Sequence, residues 1–218
     1  QEYKASEEAV NAFEKMNVPC VVINDPEPKV RVHFVSGDHL QGGRLGAEYL
    51  YSKGHRQIAI LLGSLDSEDS SLRFKGFQGF LAKQGISLDP DLVMRADFQE
   101  EKAFQVTEEL LKKRKEKKFT ALFCLNDGMA FGVLRKLAEL GISCPGQISV
   151  VGYDNDKRAA TLNPPLTTID VPLYAIAQEA AKRLTLYLKE KKTGPKDFFY
   201  KQTLMPVTLV GRNSVRKI

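Results

Sequence analysis

The sequence has no long hydrophobic run, and this absence excludes one class of protein. None of its apolar segments approaches the roughly 18 consecutive residues that a membrane-spanning helix needs. The polar, acidic start QEYKASEEAV does not resemble a secretory signal peptide. With 43% hydrophobic and 27% charged residues, the composition is that of a globular chain, and it predicts a soluble protein with no membrane partner.

Cysteine and histidine are scarce, with three residues of each type. Cys20, Cys124 and Cys144 are odd in number and far apart, so they predict neither a metal site nor a redox pair. Buried free thiols of a reducing cytoplasm are the best interpretation. The histidines are scattered, and His55 precedes a strand at its amino end, which favours a structural role.

The common catalytic and cofactor motifs are also absent. The chain contains no phosphate-binding P-loop, no Gly-x-Gly-x-x-Gly turn after a strand, no Gly-x-Ser-x-Gly elbow and no His-Glu-x-x-His pair. The sequence therefore predicts a protein that is not an enzyme and that uses no cofactor or metal.

Charge gives a weaker signal. The net charge is +5 and the pI is about 9.0. Much of the surplus lies in two basic runs, LLKKRKEKK and YLKEKKTGPK. Each run is consistent with a solvated helix face or with a direct contact to a polyanion, and a solvated face is the more usual case.

What the chain does contain is a regular alternation of strands and helices. RQIAILLG, DLVMRAD, FTALFCLND and QISVVGYDN read as strands, and amphipathic helical segments separate them. In the first of these helices, one inward face is predicted from the spacing of its apolar residues: Leu72, Phe74, Phe77, Phe80 and Leu81. Unbroken apolar strands separated by helices indicate an α/β protein whose parallel sheets are flanked by helices.

The two ends of the chain follow the same pattern. A helix precedes the strand PCVVIN, DHLQGGRLGAEYLYSKG and LYAIAQEAAKRLTLYLKE are further helices, and QTLMPVTLVGRNS is strand-forming. An α/β domain should open with a strand and its ligand loop, whereas this chain opens on a helix. We therefore expect the N-terminus to be truncated.

Polar residues stand at the carboxyl ends of the predicted strands, which in open α/β sheets is the edge where ligands bind. They follow five strands: Asn24, the loop GSLDSEDSSLR, Asp97 with Phe98, Asn126 with Asp127, and Asp154 with Asn155. Amides and carboxylates exchange hydrogen bonds with hydroxyl groups, and an aromatic ring can lie against a sugar face. This set suits a neutral polyhydroxylated ligand.

Each of these residues also has an ordinary structural interpretation. Asn126 and Asp154 could cap the helices that follow them. Arg73 could be a surface cation that extends over Phe74, and Phe98 could be a core residue.

Four segments, in this order and spacing, resemble the effector-binding domain of the lactose/galactose repressor family of bacterial transcription regulators. They are GGRLGAEYLYSKGHRQIAILLG, RFKGFQGFLAKQGI, TALFCLNDGMAFGVLRKLAELGISCPGQISVVGYDN and NPPLTTIDVP. The resemblance implies a two-lobe periplasmic-binding-protein-like fold whose N-terminal lobe is incomplete in this chain. Residues 1–37 and 170–203 would form the N-terminal lobe, and residues 38–169 and 204–213 the C-terminal lobe.

The same resemblance implies a small-molecule effector, most simply a sugar or polyol, in the cleft between the lobes. The family's ligand-binding positions fall on seven residues of this chain: Asn24, Ser67, Asp69, Arg73, Phe98, Asn126 and Asp154. Asp66, Glu68 and Asp69 place three acids near Arg73, which disfavours an anionic effector by like-charge repulsion.

The resemblance further implies a cytoplasmic homodimer that binds operator DNA through an N-terminal domain absent from this chain. A periplasmic sugar-binding protein of a transporter is the alternative, since it would share the fold and the cleft chemistry. A sugar-processing enzyme is disfavoured because no catalytic acid–base pair is evident.

Overall fold

The computed structural model describes residues 7–16, 18–24, 30–189 and 202–218, and these residues fall into two units. The smaller unit lies within Gln1–Asp38 and Pro172–Pro206, and the larger unit comprises His39–Val171 and Val207–Ile218.

The two units are built from helices and strands that alternate along the chain. In chain order they are α1 Glu7–Lys15, β1 Val21–Ile23, β2 His33–Gly37, α2 His39–Ser52, β3 Ile58–Leu62, α3 Glu68–Lys83, β4 Val93–Arg95, α4 Glu100–Lys117, β5 Ala121–Cys124, α5 Asp127–Glu139, β6 Ser149–Asp154, β7 Thr167–Asp170, α6 Leu173–Lys189, β8 Gln202–Met205 and β9 Thr208–Val210. Two short 3-10 turns, Pro90–Leu92 and Lys157–Ala160, precede β4 and follow β6.

The smaller unit contains a parallel sheet in the order β1-β2-β8 among the described residues. Helix α6 packs on β1 and β2 and buries Ile176 and Ala180. Strand β2 is buried along its whole length, although its sequence, HFVSG, was not among the predicted strands.

The larger unit contains a six-stranded sheet in the order β4-β3-β5-β6-β7-β9. All its pairings are parallel except that of β7 with β9. Strands β5 and β6 are almost entirely buried, as expected for parallel strands covered by helices. The predicted fold class, α/β with parallel sheets flanked by helices, is confirmed.

The order of the strands reverses direction between β3 and β5. From β3 the chain runs through α3 to β4 on one side, and then through α4 to β5 on the other side of β3. At such a switch point the two connections diverge and leave a crevice at the carboxyl ends of the strands. The topology therefore marks the ends of β3 and β5 as the place to look for a ligand site.

The predicted inward face of α3 is partly wrong. Phe77 and Leu81 are buried, and the Phe77 ring stacks on Phe123 with centroids 4.7 Å apart. Leu72, Phe74 and Phe80 are only partly buried. The helix turns a different face to its neighbour because it packs closely against α2, which brings Arg73 and Gly76 inside.

The basic run in α4 is partly neutralised by local pairs on the helix surface. Lys117 lies 2.9 Å from Asp89 and 3.0 Å from Asp91, and Lys112 lies 3.4 Å from Glu108. These contacts favour the solvated-face interpretation of that run. Most of the second basic run lies outside the described residues.

Among the described helices, none combines the length and the apolar character required to cross a bilayer.

Candidate functional site

Arg73 lies at the switch point of the larger sheet. Its Nη1 donates a hydrogen bond of 2.6 Å to the carbonyl oxygen of Leu125, directly after β5. The end of β3 is tied to the same helix, because the Gly63 N–H donates to Ser70 Oγ at 3.0 Å. The side chain of Arg73 is therefore anchored between the two strand ends that flank the switch point.

Close packing of α2 against α3 gives Arg73 its position. A Cβ atom on Gly43 would lie 1.9 Å from the carbonyl oxygen of Arg73, and one on Gly76 would lie 1.9 Å from that of Leu40. Only glycine leaves room for two helix backbones at this separation. The glycines of the GGRLG and KGF segments thus bring the α3 backbone at Arg73 directly onto α2.

Arg73 is 6% exposed, and it is surrounded by charged and polar groups. Its Nη1 lies 3.4 Å from Asp154 Oδ1, its Nη2 lies 3.7 Å from Asp69 Oδ2, and its guanidinium carbon lies 4.0 Å from the centre of the Tyr153 ring. The alternative of a surface cation is therefore wrong. Two carboxylates thus lie within 4 Å of one guanidinium.

His39 completes this cluster from the first turn of α2. Arg73 Nε donates to His39 Nδ1 at 3.3 Å, and the Tyr153 hydroxyl lies 3.2 Å from the same nitrogen. On the other side of the ring, His39 Nε2 lies 3.3 Å from Asp69 Oδ2. Sequence reasoning did not select His39 or Tyr153 as site residues, because their contacts join distant parts of the chain.

Phe98 follows β4 and lies near the same switch point. A Cβ atom on Gly63 would lie 2.0 Å from its ring, so the ring rests directly on the backbone after β3. The centre of the ring is 5.9 Å from the Arg73 guanidinium carbon. Phe98 is only partly buried, so it is not a fully enclosed core residue.

Asn126 and Ser67 both act as helix caps. Asn126 Oδ1 accepts a hydrogen bond of 2.8 Å from the Met129 N–H, and its Nδ2 donates to the Phe98 carbonyl oxygen at 3.3 Å. Ser67 Oγ accepts from the Ser70 N–H at 3.1 Å and is 3% exposed. The capping interpretation of Asn126 is confirmed, and a ligand contact by either residue stays a prediction.

Asp154 stands at the end of β6 with a backbone φ of 111°. Residues other than glycine rarely adopt a positive φ. Its side chain is 39% exposed although it lies beside buried Arg73. The 3-10 turn that follows is capped by Asp156, so Asp154 does not cap it. The carboxylate is held by Arg73 and also reaches solvent.

Asn24 belongs to the smaller unit. It follows β1 with a φ of 74°, and its N–H donates to the Val35 carbonyl oxygen at 3.1 Å. Its proposed part in ligand binding stays a prediction from the sequence.

Asp127 is a further buried carboxylate at this edge of the larger sheet. Its oxygens accept hydrogen bonds from the Thr168 hydroxyl at 2.6 Å and from the Asp156 N–H at 2.8 Å. Burial is the main cause that raises its pKa to about 7, and the nearby charge of Asp154 adds to the effect. Asp127 thus ties the end of β5 to β7 and to the loop after β6. Within the described ranges, no group of three or more His, Cys, Asp or Glu side chains is arranged to hold a metal ion.

The sequence matches the family described as Periplasmic binding protein-like domain over residues 47–215. The chain is 31% identical over 187 residues to the HTH-type transcriptional repressor PurR of Aliivibrio fischeri, and the match covers 85% of this chain and 56% of that protein. It is also 31% identical over 202 residues to PurR of Vibrio parahaemolyticus, with 93% and 58% covered. The chain therefore spans little more than half the length of these curated relatives.

Solved structures show the same relationship. A complex of the transcriptional regulator CelR with cellobiose has a TM-score of 0.84 at 27% identity and covers 94% of this chain and 62% of its own. A LacI family regulator from Enterococcus faecium with bound ribose has a TM-score of 0.84 at 29% identity. The match covers 98% of this chain and 76% of that one. A dimeric Lac repressor has a TM-score of 0.83 at 31% identity, and the match covers 100% of this chain and 77% of that one.

The matched family extends over most of the chain, the curated relatives are repressors, and the structural neighbours are LacI family regulators. The chain belongs to the periplasmic binding protein-like family, as an effector-binding domain of the LacI family of transcriptional regulators.

Proposed function

We propose that this chain senses a small neutral sugar or a related polyol and that ligand binding changes the DNA affinity of the full-length regulator. The protein would act in the cytoplasm as a homodimer, without enzymatic activity, and would contact operator DNA through a domain outside these residues. The relatives support this proposal in part, since CelR and the Enterococcus faecium regulator were solved with cellobiose and ribose. A Lac repressor with a C-terminal deletion and a substitution is described as dimeric. The repressor names of the curated relatives favour a regulator over a transporter's binding protein.

The observation that carries the proposal is the buried Arg73 at the switch point, held between Asp69 and Asp154. A guanidinium presents donors and the carboxylates present acceptors, which is what adjacent sugar hydroxyls require. The aromatic ring of Phe98 lies beside this polar group and offers a surface for the apolar face of a sugar.

The charge of the cluster also argues for the class of ligand. An anion would have to approach two carboxylates for one arginine, and Arg73 is already neutralised by them. Placing a like charge in a partly desolvated site is costly. A neutral ligand avoids this cost and can still use the hydrogen-bonding groups.

The residues that we propose to contact the ligand in the larger unit are Ser67, Asp69, Arg73, Phe98, Asn126 and Asp154, with Asn24 from the smaller unit. Population shift supplies the mechanism, because a ligand changes a conformational equilibrium only by its difference in affinity between the states.

The test is a thermal-shift panel of pentoses, hexoses, disaccharides, polyols, sugar phosphates and nucleobases on the intact protein. A ligand at 100 times its dissociation constant should stabilise the protein by about 2.7 kcal/mol. Arg73→Lys keeps the charge but loses the forked donor geometry, and Asp154→Asn removes one carboxylate, so both should weaken the hit.

Asp91→Asn is the matched control, since Asp91 is an exposed carboxylate that pairs with Lys117 before β4. Its affinity should equal that of the wild type. If only anionic compounds stabilise the protein, or if the hit survives both Arg73→Lys and Asp154→Asn, the proposal is wrong.

A further inference from the structure

His39 is a buried histidine whose two ring nitrogens face different partners. It is 2% exposed. Its Nδ1 receives the Arg73 Nε–H at 3.3 Å and lies 3.2 Å from the Tyr153 hydroxyl. Its Nε2 lies 3.3 Å from Asp69 Oδ2. The ring therefore joins α2 to α3 and β6 at the position of the arginine.

The arginine contact fixes which nitrogen carries the proton. A guanidinium has donors only, so His39 Nδ1 must offer its lone pair to Arg73 Nε. The ring proton then resides on Nε2, on the side of the Asp69 carboxylate. This is the neutral tautomer, in which Nδ1 accepts from Arg73 and the Nε2–H lies on the side of Asp69.

We propose that His39 is a positioning residue that fixes the plane and reach of the Arg73 guanidinium for ligand recognition. The inference rests on the proposed function of Arg73 as a ligand contact. The two carboxylates and the Leu125 carbonyl oxygen contact the outer nitrogens of Arg73, whereas His39 contacts Nε. A hydrogen bond at Nε restrains rotation of the guanidinium about its outer contacts, and so it favours one orientation of the forked donors.

The packing around His39 supports a positioning role. A Cβ atom on Gly42 would lie 2.0 Å from the Tyr153 hydroxyl oxygen, so the glycine lets this hydroxyl lie against α2 beside His39. The rings of His39 and Tyr153 are tilted by 46° with centroids 5.9 Å apart. Arg73 is therefore bounded by His39 at Nε and by the Tyr153 ring at its face.

Two substitutions at His39 separate the acceptor from the bulk of the ring. His39→Asn can place its Oδ1 near the position of Nδ1 and keep an acceptor for Arg73 Nε. His39→Leu keeps an apolar side chain of similar reach but offers no acceptor. His55→Leu is the matched control, because His55 is a buried histidine of the same unit that bonds Thr120 and the Arg216 carbonyl oxygen instead.

The first readout needs no ligand. Nitrogen NMR of the intact protein should show His39 Nδ1 unprotonated, with a scalar coupling to the Arg73 Nε–H across the hydrogen bond. The Arg73 Nε–H signal should stay protected from solvent exchange in His39→Asn and in His55→Leu, and should lose its protection in His39→Leu. A proton on Nδ1, or unchanged protection in His39→Leu, would overturn the inference.

The second readout uses a sugar that binds the wild type in the panel. His39→Leu should weaken its affinity by about tenfold or more, the scale of a hydrogen bond to a charged group. His39→Asn should retain most of the affinity, and His55→Leu should leave it unchanged even if it lowers the melting temperature. If Arg73→Lys does not weaken binding, the proposed function is wrong, and the NMR measurement still tests the hydrogen bond between His39 and Arg73. If Arg73→Lys weakens binding and His39→Leu does not, the positioning role alone fails.

Discussion

Gly76→Ala should destabilise the protein, whereas the same change at Gly79, three residues later in α3, should stabilise it. A Cβ atom on Gly76 would lie 1.9 Å from the Leu40 carbonyl oxygen and 3.0 Å from the Arg44 nitrogen. Both obstacles are backbone atoms of α2, so no side chain can rotate away. A Cβ atom on Gly79 would have nothing within 4 Å, which makes it a control for helix propensity alone.

The magnitudes follow from two opposing effects. Replacing glycine by alanine inside a helix should raise the free energy of unfolding by about 1 kcal/mol at Gly79. At Gly76 this gain is offset by overpacking, which typically costs about 1–3 kcal/mol and more where the backbone must move. We expect a net loss of about 2 kcal/mol at Gly76, and hence a difference of about 3 kcal/mol between the two variants.

Urea unfolding of the two variants and the wild type measures this difference directly. Gly76→Ala should also weaken sugar binding, because a shift of α3 moves Arg73 away from the Leu125 carbonyl oxygen. If Gly76→Ala proves as stable as Gly79→Ala, the close contact between α2 and α3 does not exist, and the placement of Arg73 that depends on it fails too.

Two buried groups should give opposite pH dependences of stability. Burial and the charges of Arg56 and Arg216 lower the pKa of His55, so the folded state resists protonation of this side chain. The free energy of unfolding should therefore fall as the pH drops below about 6.5. His55→Gln should remove this fall, which urea unfolding between pH 7 and 5 measures. Burial raises the pKa of Asp127 to about 7, so its contribution to stability is present at low pH and is lost as the pH rises from about 4 towards 7. Asp127→Asn should therefore be most stable relative to the wild type above pH 7 and least so near pH 4, and an offset that does not change with pH would contradict this assignment.

The sequence alone predicts much of the fold of the larger unit. Its strands β3, β5 and β6 are apolar runs, and a fully buried parallel strand needs such a run whatever its neighbours are. The helices between them carry their own caps, as Asn126 and Ser67 show. These are local properties, so they can be read from short segments.

Strands β2 and β7 were missed for a physical reason. Thr167 and Thr168 are fully buried in β7, where a polar side chain must find a partner. Those partners are distant in the sequence: the Arg212 N–H donates to Thr167, and Thr168 donates to Asp127. Strand β2 has only two strongly apolar residues in five, and its burial depends on α6 and β8, far along the chain.

The candidate site, too, is only partly predictable from the sequence. That polar residues stand at strand ends is a local pattern, and the sequence predicts it. The burial of Arg73, by contrast, depends on glycines of α2, and its orientation depends on His39, 34 positions away. No spacing rule connects these residues, so the arginine could be selected from the sequence while its surroundings could not.

Residues with a strained backbone conformation are concentrated at one edge of the strands. Among the described residues other than glycine, six have a positive φ. Five of them lie at the carboxyl ends of strands or within three residues after them: Asn24, Asp97, Phe98, Asp154 and Asn155. The sixth, Lys118, ends helix α4, where such a conformation is common. Strained backbone costs free energy and persists where the surrounding structure imposes it, often at binding sites.

A buried ion cluster is likewise weak as a source of stability. In the larger unit, strained strand ends and the Arg73 cluster meet at one edge of the sheet. His55, near the amino ends, makes ordinary hydrogen bonds to Thr120 and to the Arg216 carbonyl oxygen. Stability alone does not account for this asymmetry, and the ligand binding that we propose at the carboxyl edge would account for it.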